Sequence, residues 1–166
     1  FLIDKWLEVL STLHFPTRLT VVDNQFGNYS IYSSKDLMKI IRDESQNPYI
    51  QLFCKHFIQS IVGEQPDLIG VSITATSQII PGLTLCRLLK EAAPNIHLTI
   101  GGSIFTRLVD NVRRCPSLFD LTDDIIVFEG ETALLELVHQ LDVKKDFSKV
   151  PNLIYRQNGK ITINQP

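Results

Sequence analysis

Hydrophobic positions change their spacing along the chain, and from residue 67 onward two patterns alternate. Nearly continuous apolar runs are typical of strands buried on both faces of a sheet, and they lie at 67–74, 96–100 and 124–128. Apolar residues at every third or fourth position predict helices at 79–92, 104–113 and 130–141. This alternation predicts an α/β fold: a doubly wound, Rossmann-like or flavodoxin-like parallel sheet with helices on both faces.

Helical periodicity also predicts helices within the first 62 residues. In the last predicted helix, it indicates which residues face the core. Helical spacing occurs at 1–13, 34–41 and 50–62, and residues 18–22 predict a short strand that enters the polar loop 23–28. In the last helix, five apolar residues are expected to face the core: Leu134, Leu135, Leu137, Val138 and Leu141.

The C-terminal residues predict a β-hairpin. Segments 152–156 and 160–164 alternate apolar and polar residues, and Asn158-Gly159 lies between them. Asn-Gly between two alternating runs favours a tight turn. We therefore divide the chain into an α/β domain, residues 1–150, and a hairpin, residues 151–166, that links it to a further domain downstream.

Composition and charge exclude several classes of protein. The 166 residues suffice for one domain with its own core, and a net charge of −2 provides no basic surface for nucleic acid. No apolar run is long enough to predict a membrane span. The three cysteines are widely spaced and odd in number, which predicts a cytoplasmic chain without disulfides. Neither they nor the four histidines have the spacing of metal ligands, and no catalytic residue is assigned.

Polar residues and glycines cluster where the predicted strands end, which is where an open α/β sheet binds ligands. Ten of them are candidate binding residues: Ser72, Thr74, Thr76, Gln78, Gly101, Gly102, Ser103, Glu129, Gly130 and Glu131. The hydroxyls and the amide suit a polar ligand, and paired glycines let the backbone approach it without a Cβ in the way. Each group also has an ordinary structural interpretation: helix capping, a tight strand-to-helix turn, or complementation of a helix dipole.

The last of these groups indicates what kind of ligand fits. Gly130 opens a predicted helix, whose free N–H groups are able to hold an anion or an amide oxygen. Glu129 and Glu131 flank it, and two carboxylates disfavour a highly charged phosphate. They accept hydrogen bonds from hydroxyls and amides instead. The sequence therefore favours a ligand that offers hydroxyls and amides.

Together these residues resemble the N-terminal cobalamin-binding domain of cobalamin-dependent radical S-adenosylmethionine proteins. Ser72-x-Thr74 and Gly101-Gly102 occupy the places of the family's Ser-x-Leu and Gly-Gly motifs, with 26 residues between them. The resemblance extends from about residue 47 to 166, and further matches lie at 66–72, Gln78, 129–131 and 150–156.

One motif of the cobalamin-binding fold is absent. The motif Asp-x-His-x-x-Gly supplies a histidine that binds cobalt from below. In loop 23–28, Gln25 stands in the place of that histidine and Asn28 in the place of the glycine. Many radical enzymes of the type that this chain resembles share the departure and bind cobalamin without a protein imidazole on its lower face.

The resemblance implies a position for the cofactor and a partner. The nucleotide tail of cobalamin lies at the strand ends, bordered by Ser72, Thr74, Gly101, Gly102, Gly130 and Glu131. The corrin ring faces a downstream radical S-adenosylmethionine domain of the same chain, which holds a [4Fe–4S] cluster and S-adenosylmethionine and performs methyl transfer or related radical chemistry. The present chain alone is not catalytic. A bulky residue at Gly101 or Gly102 is expected to block the tail and to leave the fold intact.

Two other classes stay open: a flavin- or nucleotide-binding domain of the same architecture, and a cofactor-free regulatory or interaction module. Against the first, no Gly-x-Gly-x-x-Gly follows a predicted strand, and no phosphate-binding loop follows the first one. A visible-absorbance titration distinguishes cobalamin from flavin binding, and retention of added hydroxocobalamin through gel filtration would count against a cofactor-free module.

Overall fold

The computed structural model describes residues 2–20, 23–143 and 146–165. It divides into two compact units. The first unit comprises Phe1–Gln65 and Thr76–Ala92, and the second comprises Pro66–Ala75 and Ala93–Pro166.

The first unit is largely helical. Its helices are α1 (Leu2–Leu13), α2 (Ser34–Ile40), α3 (Pro48–His56), α4 (Ile58–Gly63) and α5 (Ile79–Ala92). Its two short strands, β1 (Arg18–Leu19) and β2 (Asn24–Gln25), pair antiparallel in a sheet of their own. The predicted strand 18–22 is therefore shorter than expected, and residues 21 and 22 lie outside the described residues.

A buried amide links three helices of the first unit. Asn47 is fully buried and caps α3, where its side-chain oxygen accepts a hydrogen bond from the Tyr49 N–H at 3.2 Å. Its Nδ2 donates to the Ile40 carbonyl at 3.1 Å and to Thr84 Oγ1 at 2.8 Å. Because a buried polar group is costly unless it is hydrogen-bonded, these contacts fix α2, α3 and α5 relative to one another.

The second unit contains a five-stranded sheet. In sheet order, the strands are β3 (Leu68–Ser72), β4 (His97–Gly101), β5 (Asp124–Ile126), β6 (Leu153–Gln157) and β7 (Lys160–Ile163). The pairs β3–β4 and β4–β5 are parallel, whereas β5–β6 and β6–β7 are antiparallel. The predicted α/β, Rossmann-like fold and the C-terminal hairpin are confirmed, and the hairpin continues the main sheet through β6.

Three helices connect these strands within the second unit: α6 (Ser103–Arg107), α7 (Val109–Arg113) and α8 (Glu131–Val143). The predicted helix 104–113 is thus interrupted at Leu108, where φ is −109° and ψ is 21°. Short 3₁₀ turns complete the connections, at Pro116–Asp120 and Phe147–Lys149.

One face of the sheet packs against α8. Ala133 and Leu137 of this helix form a buried cluster with Ile126, Leu153 and Tyr155 of the sheet. The opposite face also carries fully or almost fully buried side chains: Leu98, Ile100, Ile125 and Ile154. Since strand residues alternate between the two faces, burial on both sides explains the nearly continuous apolar runs.

The inward side of α8 is narrower than its sequence predicts. Leu137 is buried, and Leu141 packs at the edge of the cluster. Leu134, Leu135 and Val138 are 43%, 73% and 42% exposed, so their expected burial is wrong. Leu134 instead faces a cleft that occupies the space beside the helix.

Two kinds of feature are absent from the described residues. None of their helices combines the length and the apolar character needed to cross a bilayer. Within the same part of the chain, no three His, Cys, Asp or Glu side chains gather to hold a metal ion.

Candidate ligand-binding cleft

A cleft of about 440 Å³ opens at the carboxyl ends of β3, β4 and β5 and beside the start of α8. It is lined by Gly70, Val71, Ser72, Thr99, Ile100, Gly101, Gly102, Ile126, Phe128, Gly130, Glu131 and Leu134. Small-molecule sites commonly have volumes of about 300–1,000 Å³, so the cleft is large enough for part of a cofactor. All of its lining residues belong to the second unit.

Strand register places the floor of the cleft on the sheet face that α8 covers. Gly70 pairs with Thr99, and Ser72 pairs with Gly101. Alternation along the strands brings these four residues to the same face as Ile126, which packs against α8. A ligand in the cleft therefore lies on this face of the sheet.

Gly70 leaves open space above β3. A Cβ built at this position has one described neighbour within 4 Å, Thr99 Cγ2 at 3.8 Å, which is ordinary van der Waals contact. The residue is exposed, and its strand forms one edge of the sheet. Gly70 was not among the predicted binding residues, and a glycine inside an otherwise apolar run is the sequence signal for a close approach there.

Gly102 allows two backbone segments to pack closely together. Its φ is +110°, and a Cβ there would lie 2.3 Å from the Ile73 carbonyl oxygen. Glycine is required because the segment after β3 passes so close to the turn after β4. The expectation that a bulky residue at Gly102 leaves the fold intact is therefore wrong. Gly101 is less restricted, with the Ile126 carbonyl oxygen 3.3 Å from its added Cβ.

Thr99 is a polar cleft residue that the sequence analysis missed. It is only 4% exposed, and its hydroxyl has no hydrogen-bond partner among the described residues. It lies between Leu98 and Ile100, so local pattern marks it as an ordinary strand residue with a β-branched side chain. The one available signal was a hydroxyl within an apolar run.

Phe128 was also missed, and it lies at the mouth of the cleft. Its φ is +58°, a left-handed conformation that bulky residues rarely adopt, and its side chain is 55% exposed. The Phe128 N–H donates to Thr106 Oγ1 at 2.7 Å, which helps to hold this backbone in place. Exposed aromatic surface and backbone strain at one residue are typical of a ligand site.

The structure distributes the ten sequence-predicted residues among three places. Five of them line the cleft: Ser72, Gly101, Gly102, Gly130 and Glu131. Three lie in the second unit outside the lining: Thr74, Ser103 and Glu129. The remaining two, Thr76 and Gln78, belong to the first unit, where they form the 3₁₀ turn that precedes α5.

The three residues outside the lining have structural contacts at the strand ends. Ser103 Oγ donates to the Thr74 carbonyl at 3.1 Å, which ties the end of β4 to the loop after β3. The Glu129 carbonyl accepts a hydrogen bond from Asn152 Nδ2 at 3.0 Å. These bonds hold the rim of the cleft together.

The cleft has little charge. Glu131 carries the one formal charge among its described lining residues, and it is exposed at the first turn of α8. None of these lining residues is a cation or a histidine. Such a surface disfavours a compact phosphate and suits a largely uncharged ligand that offers hydrogen bonds.

Comparison with protein families identifies the fold. Residues 19–138, well over half of the chain, match the family described as the B12 binding domain. This chain belongs to the B12-binding domain family. The resemblance noted from its motifs is confirmed at this level, and cobalamin is the ligand of the family.

Two relatives extend the comparison. The B12-binding domain is 29% identical over 102 residues to an uncharacterised methyltransferase of Pyrococcus horikoshii, and the match covers 61% of the chain and 21% of the relative. It is also similar in fold to TsrM, a radical S-adenosylmethionine methyltransferase of Kitasatospora setae solved with tryptophan and an S-adenosylmethionine analogue. That match has a TM-score of 0.53 at 16% identity and covers 69% of the chain and 23% of TsrM. The chain spans less than a quarter of either relative.

The cleft of this B12-binding domain fits the uncharged parts of a cobalamin tail. Its floor is built from glycine and small polar residues, and its walls from Ile126, Phe128 and Leu134. It also contains the buried Thr99 hydroxyl, which has no hydrogen-bond partner among the described residues. Gln25, in the place of the family's cobalt-binding histidine, is exposed on β2 in the first unit. The described residues therefore offer a pocket for a tail and no imidazole in that loop.

Proposed function

We propose that this B12-binding domain holds the nucleotide tail of cobalamin in the cleft at the ends of β3, β4 and β5. The single observation that supports this most is the glycine floor. Gly70 and Gly101 open the sheet surface at the place where the family's cofactor is expected to insert. A flat aromatic base is able to lie against the floor at these two positions, because a glycine has no side chain that projects into the cleft.

Each cleft residue has a part in this proposal. The exposed Ser72 hydroxyl is able to donate to the tail, and the Glu131 carboxylate to accept from its hydroxyl or amide groups. Gly130 allows close approach at the start of α8, whose first N–H groups are free to donate. Thr74, Ser103 and Glu129 shape the rim, and Thr76 and Gln78 of the first unit stay proposed cofactor-binding residues.

We further propose that the domain is one part of a larger radical S-adenosylmethionine methyltransferase. Both relatives are named methyltransferases, and the chain spans less than a quarter of each. In this proposal the hairpin after residue 150 leads to a domain that holds a [4Fe–4S] cluster and S-adenosylmethionine, in a cytoplasmic protein. Cobalamin would supply the cobalt centre for alkyl transfer, while residues of this chain bind and orient it.

Substitution of Gly70 tests the position of the tail. Gly70→Leu places a side chain in the cleft without a backbone clash, since the Cβ site has only one ordinary contact. The matched control is Gly63→Leu at the end of α4, where no described atom lies within 4 Å of an added Cβ. Hydroxocobalamin is titrated into each protein, and binding is followed by its visible absorbance and its retention in gel filtration.

The wild type and Gly63→Leu are expected to retain hydroxocobalamin, and a folded Gly70→Leu to bind it at least tenfold more weakly, roughly the effect of losing one well-packed group. Equal binding by Gly70→Leu would place the tail elsewhere. Failure of the wild type to retain the corrinoid would favour a cofactor-free module, and tight binding of flavin mononucleotide instead would favour a flavin domain.

A further inference from the structure

Thr99 lies deeper in the cleft than the glycine motif. On β4, Gly101 is at the carboxyl end, and Thr99 precedes it by two residues on the same face. Its side chain is almost wholly buried, and its hydroxyl lacks a partner among the described residues. A buried hydroxyl without a hydrogen bond is costly, so a group that pairs with it when the cleft is filled gains affinity.

The surroundings leave few protein partners for this hydroxyl. Across the sheet, Thr99 pairs with Gly70 of β3 on one side and with Asp124 of β5 on the other. Gly70 has no side chain, and its position faces the Thr99 methyl group. Asp124 Oδ2 lies 2.6 Å from His97 Nε2, while Asp124 Oδ1 has no partner in the described part of the chain.

The threonine hydroxyl therefore has two competing uses. Rotation about the Cα–Cβ bond exchanges the hydroxyl and the methyl group, so either is able to face the cleft. In one rotamer the hydroxyl approaches Asp124 Oδ1 and contacts only the protein. In another it presents a donor and an acceptor to whatever fills the deep end of the cleft.

We infer that the chain selects the lower base of its corrinoid, and that the preferred base has a hydrogen-bonding edge. This inference rests on the proposed function, in which the tail enters the cleft and the base is its far end. Adenine has ring nitrogens and an amino group along its edge, and these groups are able to pair with the Thr99 hydroxyl. Dimethylbenzimidazole presents two methyl groups there and leaves the hydroxyl unpaired.

The other walls of the cleft do not make this distinction. Ile126, Phe128 and Leu134 are apolar, and their contact with the faces of a planar base is similar for both bases. A base that pairs with the Thr99 hydroxyl gains a hydrogen bond that the free protein lacks, whereas a base without a bonding group leaves the hydroxyl unpaired, as it is in the free protein. Thr99 is thus the specificity-determining residue, and the apolar walls contribute affinity to both ligands.

The test compares three corrinoids on three proteins. Cobinamide, which lacks the nucleotide tail, cobalamin and adeninyl cobamide are titrated into the wild type, Thr99→Val and the control Thr162→Val. Thr162 lies on β7 and is not among the residues that line the cleft, so its substitution makes the same chemical change away from the ligand. Visible absorbance gives each dissociation constant, and thermal unfolding reports on stability.

The wild type and Thr162→Val are expected to prefer adeninyl cobamide over cobalamin by roughly tenfold or more. Thr99→Val is expected to reduce that ratio to about twofold or to reverse it. Equal wild-type affinities, or a preference that survives in Thr99→Val, would overturn the inference. A fall in the stability of Thr99→Val with an unchanged ratio would assign the hydroxyl to Asp124 and would also overturn it.

The same titrations separate this inference from the proposed function. If both complete cobamides bind more tightly than cobinamide but equally to each other, only the inference fails. If the complete cobamides bind no better than cobinamide, or if none of the three corrinoids binds, the proposed position of the tail fails and the inference fails with it.

Discussion

Replacing Gly102 with alanine is expected to destabilise the second unit by about 2–6 kcal/mol. A non-glycine residue in a sparsely populated conformation such as φ +110° costs about 1–3 kcal/mol. The added Cβ would also lie 2.3 Å from the Ile73 carbonyl oxygen and 2.7 Å from its carbon, and forced packing of this kind costs about 1–3 kcal/mol more. Both neighbouring atoms belong to the backbone of the segment after β3, so a change of side-chain rotamer does not relieve the overlap.

Urea unfolding followed by circular dichroism measures the loss, and Gly101→Ala is the matched control. An added Cβ at Gly101 lies 3.3 Å from the Ile126 carbonyl oxygen, and the residue has no positive φ, so its cost should stay near 1 kcal/mol. For Gly102→Ala, a urea slope of about 1–3 kcal/mol per molar predicts a midpoint lowered by about 0.7 M or more. A Gly102→Ala midpoint within error of the wild type would refute the assignment of this glycine to backbone packing.

Two more predictions concern buried groups. Asp124→Ala should lower the free energy of unfolding by about 3 kcal/mol, because it leaves His97 without the carboxylate that lies 2.6 Å away; an unchanged urea midpoint would contradict this. Burial raises the pKa of the Cys86 thiol to about 12, so its reactive thiolate is scarce at neutral pH, whereas Cys54 is exposed. Ellman's reagent should therefore modify Cys54 in the folded protein and Cys86 only after unfolding. Rapid modification of Cys86 in the native state would show that α5 opens around this residue.

The fold was accessible from the sequence where local pattern and long-range packing agree. The apolar runs became β3, β4 and β5 because both sheet faces are buried. Asn158 and Gly159 have φ values of 51° and 77°, the positive pair that an Asn-Gly hairpin turn requires. Local pattern did not contain the antiparallel pairing of β5 with β6, since that contact joins residues distant along the chain.

The exposed side of α8 shows a different kind of limit. Helical periodicity counts Leu134 and Val138 with the apolar face, but it does not report how wide a surface the sheet offers. The cleft removes part of that surface, and Leu134 lines it. Apolar residues that line a ligand site therefore resemble core residues in the sequence, because both a core and a ligand site contain apolar side chains.

Sequence motifs predicted some residues of the candidate site, but they did not identify every residue that lines the cleft. Ser72, Gly101 and Glu131 were found because hydroxyls, glycines and carboxylates at strand ends are unusual, and the structure brings them to one cleft. Their contact with cobalamin stays a proposal. Thr99 and Phe128 were missed because a threonine suits any strand and a positive φ at phenylalanine has no sequence signature.

The claim that the cleft takes the cobalamin tail is tested most directly by electron paramagnetic resonance of Co(II) cobalamin bound to the chain. Nitrogen coordinated to the lower face of Co(II) splits its signal. If the tail lies in the cleft, its base is detached from cobalt. Gln25 stands in the place of the cobalt-binding histidine, and no described lining residue is a histidine, so we expect a bound spectrum without nitrogen splitting. A bound spectrum that keeps the splitting from the cofactor's own base would show that the tail stays on the cobalt and that its proposed position is wrong.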